Sequence, residues 1–254
     1  MVLDGFRLDG RVALVTGAAR GLGQAMAIAL AEAGADVATL DHAPAPQTCE
    51  ALGALGRRCM HIQCDLRAAS VADLAHVVDR VTAEMGRLDV LVNNAGIIRR
   101  APAVEFSEAD WDDVLQINLK AVFFLSQAAA RVMVKQHGGK IINIASMLSF
   151  QGGIIVPSYT AAKSGVAGIT RALANEWARH NVNVNAIAPG YMATDNTAPL
   201  RADPNRSASI LDRIPAGRWG VPDDLKGVVV FLASAASDYV NGAIIPVDGG
   251  WLTR

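Results

Sequence analysis

The chain has 254 residues, which is long enough for one large α/β domain with a substantial buried core. Hydrophobic residues make up 52% of the sequence, and this fraction excludes a disordered or mainly solvated chain. The 23 Lys and Arg residues are balanced by 24 Asp and Glu residues, so the charge indicates neither nucleic acid nor an anionic membrane as a partner.

The N-terminus and the apolar stretches favour a cytoplasmic protein. The first ten residues, MVLDGFRLDG, include acids and lack the apolar core of a signal peptide. The most apolar later stretches, such as GVVVFLASAA, are shorter than the ~20 residues that a membrane-spanning helix needs. We therefore expect no membrane association.

Short apolar runs alternate with longer amphipathic stretches along the chain. The runs that predict strands are residues 11–16, 36–40, 59–63, 88–93, 140–145, 182–188 and 243–247. Residues 70–85, between two of these runs, carry apolar side chains at helical spacing. The alternation predicts a parallel sheet covered by helices on both faces. Because no repeat, linker or change in composition interrupts it, we expect a single domain over residues 1–254.

The glycines of the sequence VTGAARGLGQAMAIALAEAG predict a phosphate-binding turn. Gly17, Gly21 and Gly23 lie between the first predicted strand and a predicted helix. Glycine allows a tight turn and lets backbone N–H groups approach a pyrophosphate at the N-terminus of the helix. The spacing differs from G-x-G-x-x-G, but its position in the first strand–helix turn is the one that a dinucleotide fold requires.

Two charged residues bear on the choice of dinucleotide. Asp41 ends the second predicted strand, where its carboxylate can accept hydrogen bonds from an adenosine ribose and would repel a 2′-phosphate. Arg20, inside the glycine turn, favours the opposite choice because its cation could meet a 2′-phosphate. We expect NAD, since Asp41 lies at the ribose itself; capping of the following turn is its alternative role.

The sequence has three cysteines, an odd number, which argues against a disulfide framework and fits a reducing compartment. Two of them lie in CMHIQCD, which raises the question of a metal site. In a strand, Cys59 and His61 would share one face while Cys64 would point to the other. The spacing matches none of the common metal motifs, so we expect no metal.

The stretch SMLSFQGGIIVPSYTAAKSG carries candidate catalytic groups. Tyr159 and Lys163 are four residues apart in a predicted helix and therefore project from one face. A nearby ammonium favours the phenolate, so we expect Lys163 to lower the pKa of Tyr159 and make it a usable general acid or base. Ser146 follows a predicted strand, whose carboxyl end borders the ligand crevice, and its hydroxyl could hydrogen-bond a substrate oxygen.

Residues 191–221 depart from the alternation of strands and helices. The segment is polar, contains three of the ten prolines and precedes a helix predicted to start near Pro222. Loops of this length in compact domains are commonly lids or binding segments, so we expect a substrate lid here; a surface insertion without a role is the alternative.

The motifs TGAARGLG, NNAG, ASMLSF…SYTAAK and NAIAPGYMAT occur in the order found in short-chain dehydrogenase/reductases, which the chain resembles over essentially its whole length. The resemblance implies a doubly wound (Rossmann) seven-stranded parallel sheet. It also implies catalytic roles: Tyr159 as proton donor and acceptor, Ser146 as the hydroxyl that orients the substrate, Lys163 as a ribose ligand, and Asn118 as holder of a relay water.

The same resemblance implies a set of cofactor contacts. Asp65 and Leu66 would contact adenine, residues 93–96 would flank the adenosine ribose, and residues 189–194 would meet the nicotinamide. The implied cofactor-binding residues are Gly17, Arg20, Gly21, Leu22, Gly23, Asp41, Asp65, Leu66, Asn93, Ala95, Gly96, Tyr159, Lys163, Pro189, Gly190, Met192 and Thr194.

Longer segments, including NNAGIIRR, FSEADWDDV and RIPAGRWG, resemble a group within the family, the 2-deoxy-D-gluconate 3-dehydrogenases, also described as 2-dehydro-3-deoxy-D-gluconate 5-dehydrogenases. This resemblance implies NAD(H)-linked interconversion of a secondary alcohol and a ketone on a deoxy-sugar acid, and a homotetramer. Ser146 and Tyr159 would contact that substrate. The polar lid also disfavours a steroid or acyl-chain substrate.

A sugar acid needs a fixed cation for its carboxylate, which the planar guanidinium of arginine can bind with two hydrogen bonds. The candidates are Arg99, Arg100, Arg201, Arg206, Arg213 and Arg218, which follow the predicted strand 88–93 or lie in or near the lid. Several of these six are expected to be solvated. We expect at least one of Arg99, Arg100, Arg201 and Arg206 to bind the carboxylate, and Arg100 is the more particular to the sugar-acid group.

Other functions stay open at this point. A 3-oxoacyl-carrier-protein reductase would prefer NADPH and a basic surface, which Asp41 and the balanced charge disfavour. A gluconate or polyol dehydrogenase would share the catalytic residues. A non-catalytic dinucleotide-sensing or assembly protein would have no need of the complete set Ser146, Tyr159 and Lys163.

Overall fold

The computed structural model describes residues 1–254, and its centre is a parallel sheet of seven strands. Strands β1 to β7 are Val12–Thr16, Asp36–Asp41, Cys59–Gln63, Val90–Asn93, Gly139–Ile144, Val182–Pro189 and Ile244–Val247. They lie in the order β3-β2-β1-β4-β5-β6-β7. The predicted doubly wound α/β sheet is confirmed, because the chain winds outwards in one direction from β1 and in the other from β4.

Helices cover both faces of this sheet. Helices α1 to α9 are Gly21–Glu32, Pro46–Ala54, Val71–Met85, Glu108–Leu115, Ala121–Lys135, Pro157–Trp177, Ala198–Ala202, Pro204–Arg213 and Lys226–Ala233. One π-helical turn, Gln116–Lys120, joins α4 to α5. The helix predicted over residues 70–85 is α3. The side chain of Ser70 caps its N-terminus by accepting a hydrogen bond from the backbone amide of Asp73.

Alternate residues of the central strands face opposite layers of the core. Leu14 and Ile141 pack with the apolar side chains of α3 and α5, while Val15 and Ile142 pack with those of α1 and α9. Each of these central strands is therefore buried on both faces, which explains why they are continuous apolar runs and not alternating ones.

The helical run from Glu108 to Lys135 is long and apolar enough to cross a membrane by length and composition alone. A run of this length was not predicted here from the sequence. Its most apolar window is 56% buried, and Leu125, Ala129 and Met133 belong to the core beneath the sheet. Core packing therefore accounts for its apolar character.

Cys49 in α2 and Cys59 in β3 form a disulfide, and Cys64 is free. The odd number of cysteines argued against a disulfide framework, but the structure contains this one disulfide. An odd count cannot show that α2 packs beside β3, where the two Cα atoms lie 5.3 Å apart, within the usual range for a disulfide. With Cys59 bonded to Cys49, its thiolate is not available to a metal ion.

The polar segment 191–221 is not the plain loop that its composition suggested, because it contains α7 and α8. Helix α8 begins with Pro204 after Asp203, whose carboxylate accepts hydrogen bonds from the first amides of the helix. Ile210 and Ile214 anchor the segment in a small apolar cluster with Trp251 near the C-terminus. The segment is therefore a folded unit packed over one end of the sheet.

Candidate active site

A deep cleft lies at the carboxyl ends of the strands, where β1 and β4 are neighbours and the chain direction diverges. This is the place at which ligands bind in open α/β sheets. The cleft has a volume of about 530 Å³. Its lining includes the predicted residues Gly17, Arg20, Gly21, Leu22, Gly23, Asp41, Asp65, Leu66, Ala95, Gly96, Ser146, Tyr159, Lys163, Pro189, Gly190, Met192 and Thr194.

The glycine turn in the cleft has no room for a side chain at Gly17 or at Gly23. Gly17 has φ +64°, and a Cβ there would lie 2.9 Å from the Cα of Ala95. A Cβ on Gly23 would overlap the carbonyl oxygen of Gly17. The amide nitrogen of the Asn94 side chain donates to the carbonyl oxygens of Thr16 and Gly17, at 2.9 and 3.1 Å. The turn is thus held open as a backbone cradle that fits a pyrophosphate at the start of α1.

Asp41 is held in place at the end of β2. Asp41 is 7% exposed, and its carboxylate accepts hydrogen bonds from the backbone amides of Ala19, at 3.0 Å, and Ala43, at 3.1 Å. The ring of His42 lies beside the same carboxylate, with Nδ1 2.9 Å from Oδ1. The carboxylate is therefore a rigid negative group at the mouth of the cleft.

Asn93 is the one predicted cofactor residue whose side chain lies outside the cleft. It donates to Ser126 and to Asn143 inside the core, at 3.0 and 2.9 Å. Asn143 in turn donates to Thr170 in α6. Asn93 therefore ties β4 to β5 and to the helices below the sheet, and its neighbour Asn94 provides the contact to the glycine turn.

Ser146, Tyr159 and Lys163 converge at the end of β5. Tyr159 and Lys163 lie one turn apart in α6, and the Lys163 nitrogen is 5.6 Å from the centre of the tyrosine ring. The same nitrogen donates to the carbonyl oxygen of Ile144 at 2.5 Å. The hydroxyl oxygen of Ser146 accepts from the backbone amide of Leu148 at 3.1 Å and lies close enough to Tyr159 to act on its pKa. A substrate oxygen that reaches Ser146 therefore also reaches the tyrosine.

Burial shifts the pKa values of Tyr159 and Lys163. It raises the pKa of Tyr159, an effect that the Ser146 hydroxyl and the positive charge of Arg100 only partly offset. Burial lowers the pKa of Lys163 to about 8. The expectation that Lys163 lowers the pKa of Tyr159 is therefore wrong in this structure, because desolvation outweighs the neighbouring charges and the lysine itself is only weakly basic.

Asn118 lies in the π-helical turn between α4 and α5 and is completely buried. Its side-chain oxygen accepts from the amide of Ile97 at 2.9 Å, and its nitrogen donates to the carbonyl of Ile97 at 2.8 Å. Both ends of the amide therefore hold the loop that follows β4. The role of Asn118 in a water relay stays a prediction.

The candidate arginines for a substrate carboxylate differ in how free they are. Arg99 pairs with Asp110 at 3.0 Å and with Asp113 at 3.6 Å, so its charge is already matched. Arg100 donates to the carbonyl of Asn196 at 3.1 Å, and its charge acts on the nearby Tyr159. Of this adjacent pair, only Arg100 has no carboxylate partner and lies close to the catalytic groups.

The arginines of segment 191–221 are engaged in different ways. Arg201 donates to the carbonyl of Thr194 at 3.2 Å, and the side chain of Arg206 makes neither a hydrogen bond nor an ion pair. Arg213 lies over the ring of Trp251 at 4.1 Å. Arg218 forms a two-point ion pair with Asp224, at 2.7 and 2.8 Å.

Comparison with known proteins agrees with this geometry. Residues 11–205 match the sequence profile described as short chain dehydrogenase. The chain belongs to the short-chain dehydrogenase family. The sequence is 63% identical to the 2-dehydro-3-deoxy-D-gluconate 5-dehydrogenase of Escherichia coli K12, with 100% of both chains covered. It is 62% identical to the protein of the same name from Dickeya dadantii, again over 100% of both chains.

One solved structure has the same fold as this chain. It comes from Agrobacterium tumefaciens, is provisionally described as a 2-deoxy-D-gluconate 3-dehydrogenase, and contains bound NADP. Its sequence is 55% identical, the TM-score is 0.92, and the match covers 99% of this chain and 100% of the other.

Several residues that line the cleft were not predicted from the sequence, and three of the polar ones lie next to motifs. His42 follows Asp41, and Asp195 and Asn196 follow directly after the motif PGYMAT. Their position next to recognised motifs is the only sequence signal that could have found them. Their contacts across the cleft depend on how segment 191–221 folds back over the sheet.

Proposed function

We propose that this dehydrogenase uses NAD(H) to interconvert a secondary alcohol and a ketone on a six-carbon deoxy-sugar acid, as the name of its relatives, 2-dehydro-3-deoxy-D-gluconate 5-dehydrogenase, describes. The observation that carries the proposal is the convergence of Ser146, Tyr159 and Lys163 in a dinucleotide cleft, with the guanidinium of Arg100 close to Tyr159 and without a carboxylate partner. The 63% identity over the whole chain supports the substrate class.

The cleft fits a nicotinamide dinucleotide. The backbone of the turn from Gly17 to Gly23 would hold the pyrophosphate, and Asp41 would accept hydrogen bonds from the adenosine ribose. When bound, the nicotinamide ring accepts or supplies the hydride. Asp41 also supports NAD over NADP, because its rigid carboxylate disfavours a further phosphate at the ribose.

The chain's own groups move the proton. Ser146 would hydrogen-bond the substrate oxygen and orient it towards Tyr159, whose hydroxyl takes the proton from the alcohol or gives it to the ketone. With a pKa of about 8, Lys163 carries its positive charge at neutral pH, 5.6 Å from the centre of the Tyr159 ring, and its ammonium would bind a ribose hydroxyl of the cofactor.

The substrate carboxylate is assigned to Arg100. Replacing it, as Arg100→Gln, is expected to raise KM for the sugar acid by about tenfold to 100-fold, because a hydrogen bond to a charged group is worth about 1.5–3 kcal/mol. Steady-state kinetics with saturating NAD measure the change. Arg206→Gln is the matched control, since that exposed side chain makes neither a hydrogen bond nor an ion pair. An unchanged KM in a variant lacking the charges of Arg99, Arg100, Arg201 and Arg206 would contradict the assignment.

The proposed reaction is tested by an activity screen with NAD and NADP over 2-deoxy-D-gluconate, 2-dehydro-3-deoxy-D-gluconate, gluconate and an acyl thioester. We expect NAD-linked turnover of a deoxy-sugar acid. Turnover of the thioester alone, with NADPH, would reject the cofactor and the substrate together. Turnover of gluconate alone would instead support a gluconate dehydrogenase.

We also propose that the enzyme is a cytoplasmic homotetramer. A groove on the outer face of α4, α5 and α6 is lined by Leu119, Phe123, Phe124 and Ile169, side chains that a second copy of the chain would remove from water. Sedimentation equilibrium is expected to give a mass four times that of one chain. A monomer at micromolar concentration would reject this assembly.

A further inference from the structure

An ion pair bridges the cleft between the glycine turn and the segment that follows β6. Arg20 is the residue immediately before α1, and Asp195 begins a short 3-10 turn, Asp195–Thr197. The guanidinium and the carboxylate are 3.0 Å apart, and both side chains are about three-quarters exposed. Both residues line the same cleft as Asp41.

Arg20 is the one arginine among the residues that line this cleft. Its cation is therefore the group best able to favour a 2′-phosphate, against the fixed negative charge of Asp41. In the structure this cation is already matched by Asp195. If Arg20 turned to a 2′-phosphate, it would leave Asp195 as an unpaired carboxylate in a cleft that also receives the pyrophosphate.

We propose that Asp195 is a specificity-determining residue, which favours NAD over NADP by holding Arg20 away from the 2′-phosphate; this inference rests on the proposed dinucleotide function. With NAD the ion pair persists, because there is no 2′-phosphate to compete for the guanidinium. With NADP the pair must break, and the contact between the glycine turn and the segment before α7 is lost with it. Asp195 thus acts on the cofactor through Arg20.

The size of the effect follows from the exposure of the pair. Exposed ion pairs contribute at most about 1 kcal/mol, so their loss corresponds to a change of about fivefold in a binding constant. The pair therefore biases the choice of cofactor and does not exclude NADP. A bias of this kind is compatible with the NADP found in the Agrobacterium tumefaciens relative.

Isothermal titration calorimetry of the full chain with NAD and with NADP, without substrate, tests the proposal. Asp195→Asn is expected to lower Kd for NADP by about fivefold and to change Kd for NAD by less than about twofold. The matched control is Asp212→Asn, which removes the same charge from an exposed position of the same segment. It is expected to change neither constant.

A double variant separates the ion pair from a general effect of charge. In an Arg20→Gln background, Asp195→Asn is expected to bring no gain in NADP affinity, because there is no guanidinium to release. A gain that persists without Arg20, or an unchanged NADP affinity in Asp195→Asn, overturns the inference while the proposed function stands. Wild-type protein that binds neither dinucleotide overturns the proposed function and this inference with it.

Discussion

Tyr159→Phe is expected to lower kcat/KM for the sugar acid by about 10²–10⁴-fold, the usual contribution of a positioned general acid or base. The substitution removes the hydroxyl that lies beside Ser146 and leaves the ring in place. Because burial raises the pKa of this tyrosine, its base form is scarce at neutral pH. The wild-type kcat/KM for alcohol oxidation should therefore rise with pH, and initial rates across a pH series measure both effects.

Tyr239 supplies the matched control for this substitution, because its side chain is fully exposed to solvent. Tyr239→Phe is expected to keep the wild-type rate and pH profile. The melting temperature of Tyr159→Phe, measured alongside its kinetics, separates lost chemistry from lost folding. Undiminished turnover in a folded Tyr159→Phe variant would remove the tyrosine from the mechanism and favour a dinucleotide-sensing role.

Gly23→Ala is expected to weaken NAD binding by about fivefold to 150-fold, since overpacking of a tight site costs about 1–3 kcal/mol. A Cβ at this position would overlap the carbonyl oxygen of Gly17 and push the glycine turn out of the shape that receives a pyrophosphate. Calorimetric titration with NAD measures the affinity, and a thermal melt of the same sample reports the cost to the fold.

Gly227→Ala is the control for a glycine replaced where there is space. Gly227 lies in α9, and a Cβ there meets no atom within 4 Å. Since alanine is favoured over glycine in a helix by about 1 kcal/mol, we expect a melting temperature at or above that of the wild type and unchanged NAD affinity. Normal NAD affinity in Gly23→Ala would show that the turn does not carry the cofactor.

The predicted strands agree with the structure to within two residues at either end. The helix over residues 70–85 also agrees, because the spacing of its apolar residues and the cap at Ser70 are local features. The same holds for Tyr159 and Lys163, whose separation of four residues places them on one face of α6. Helical and strand periodicity depend on neighbouring residues alone, so the fold class and the placement of these two side chains on one helix face could be predicted from the sequence.

Contacts between residues on different elements could not be predicted from the sequence. The disulfide of Cys49 with Cys59 depends on the packing of α2 against β3, and the ion pair of Arg20 with Asp195 depends on how the segment after β6 returns across the cleft. The direction of the pKa shift of Tyr159 depends on how much water the fold removes from it.

Arg99 and Arg100 show most clearly what the sequence determined and what the tertiary structure decided. The sequence alone determined the parallel sheet, the glycine turn and the fact that two cations follow β4. Only the tertiary structure decided between them, because α4 brings Asp110 within 3.0 Å of Arg99 and leaves Arg100 facing Asn196 and the catalytic tyrosine. The physical reason is that a charge finds its partner through space, and the strand order and helix packing set which residues meet.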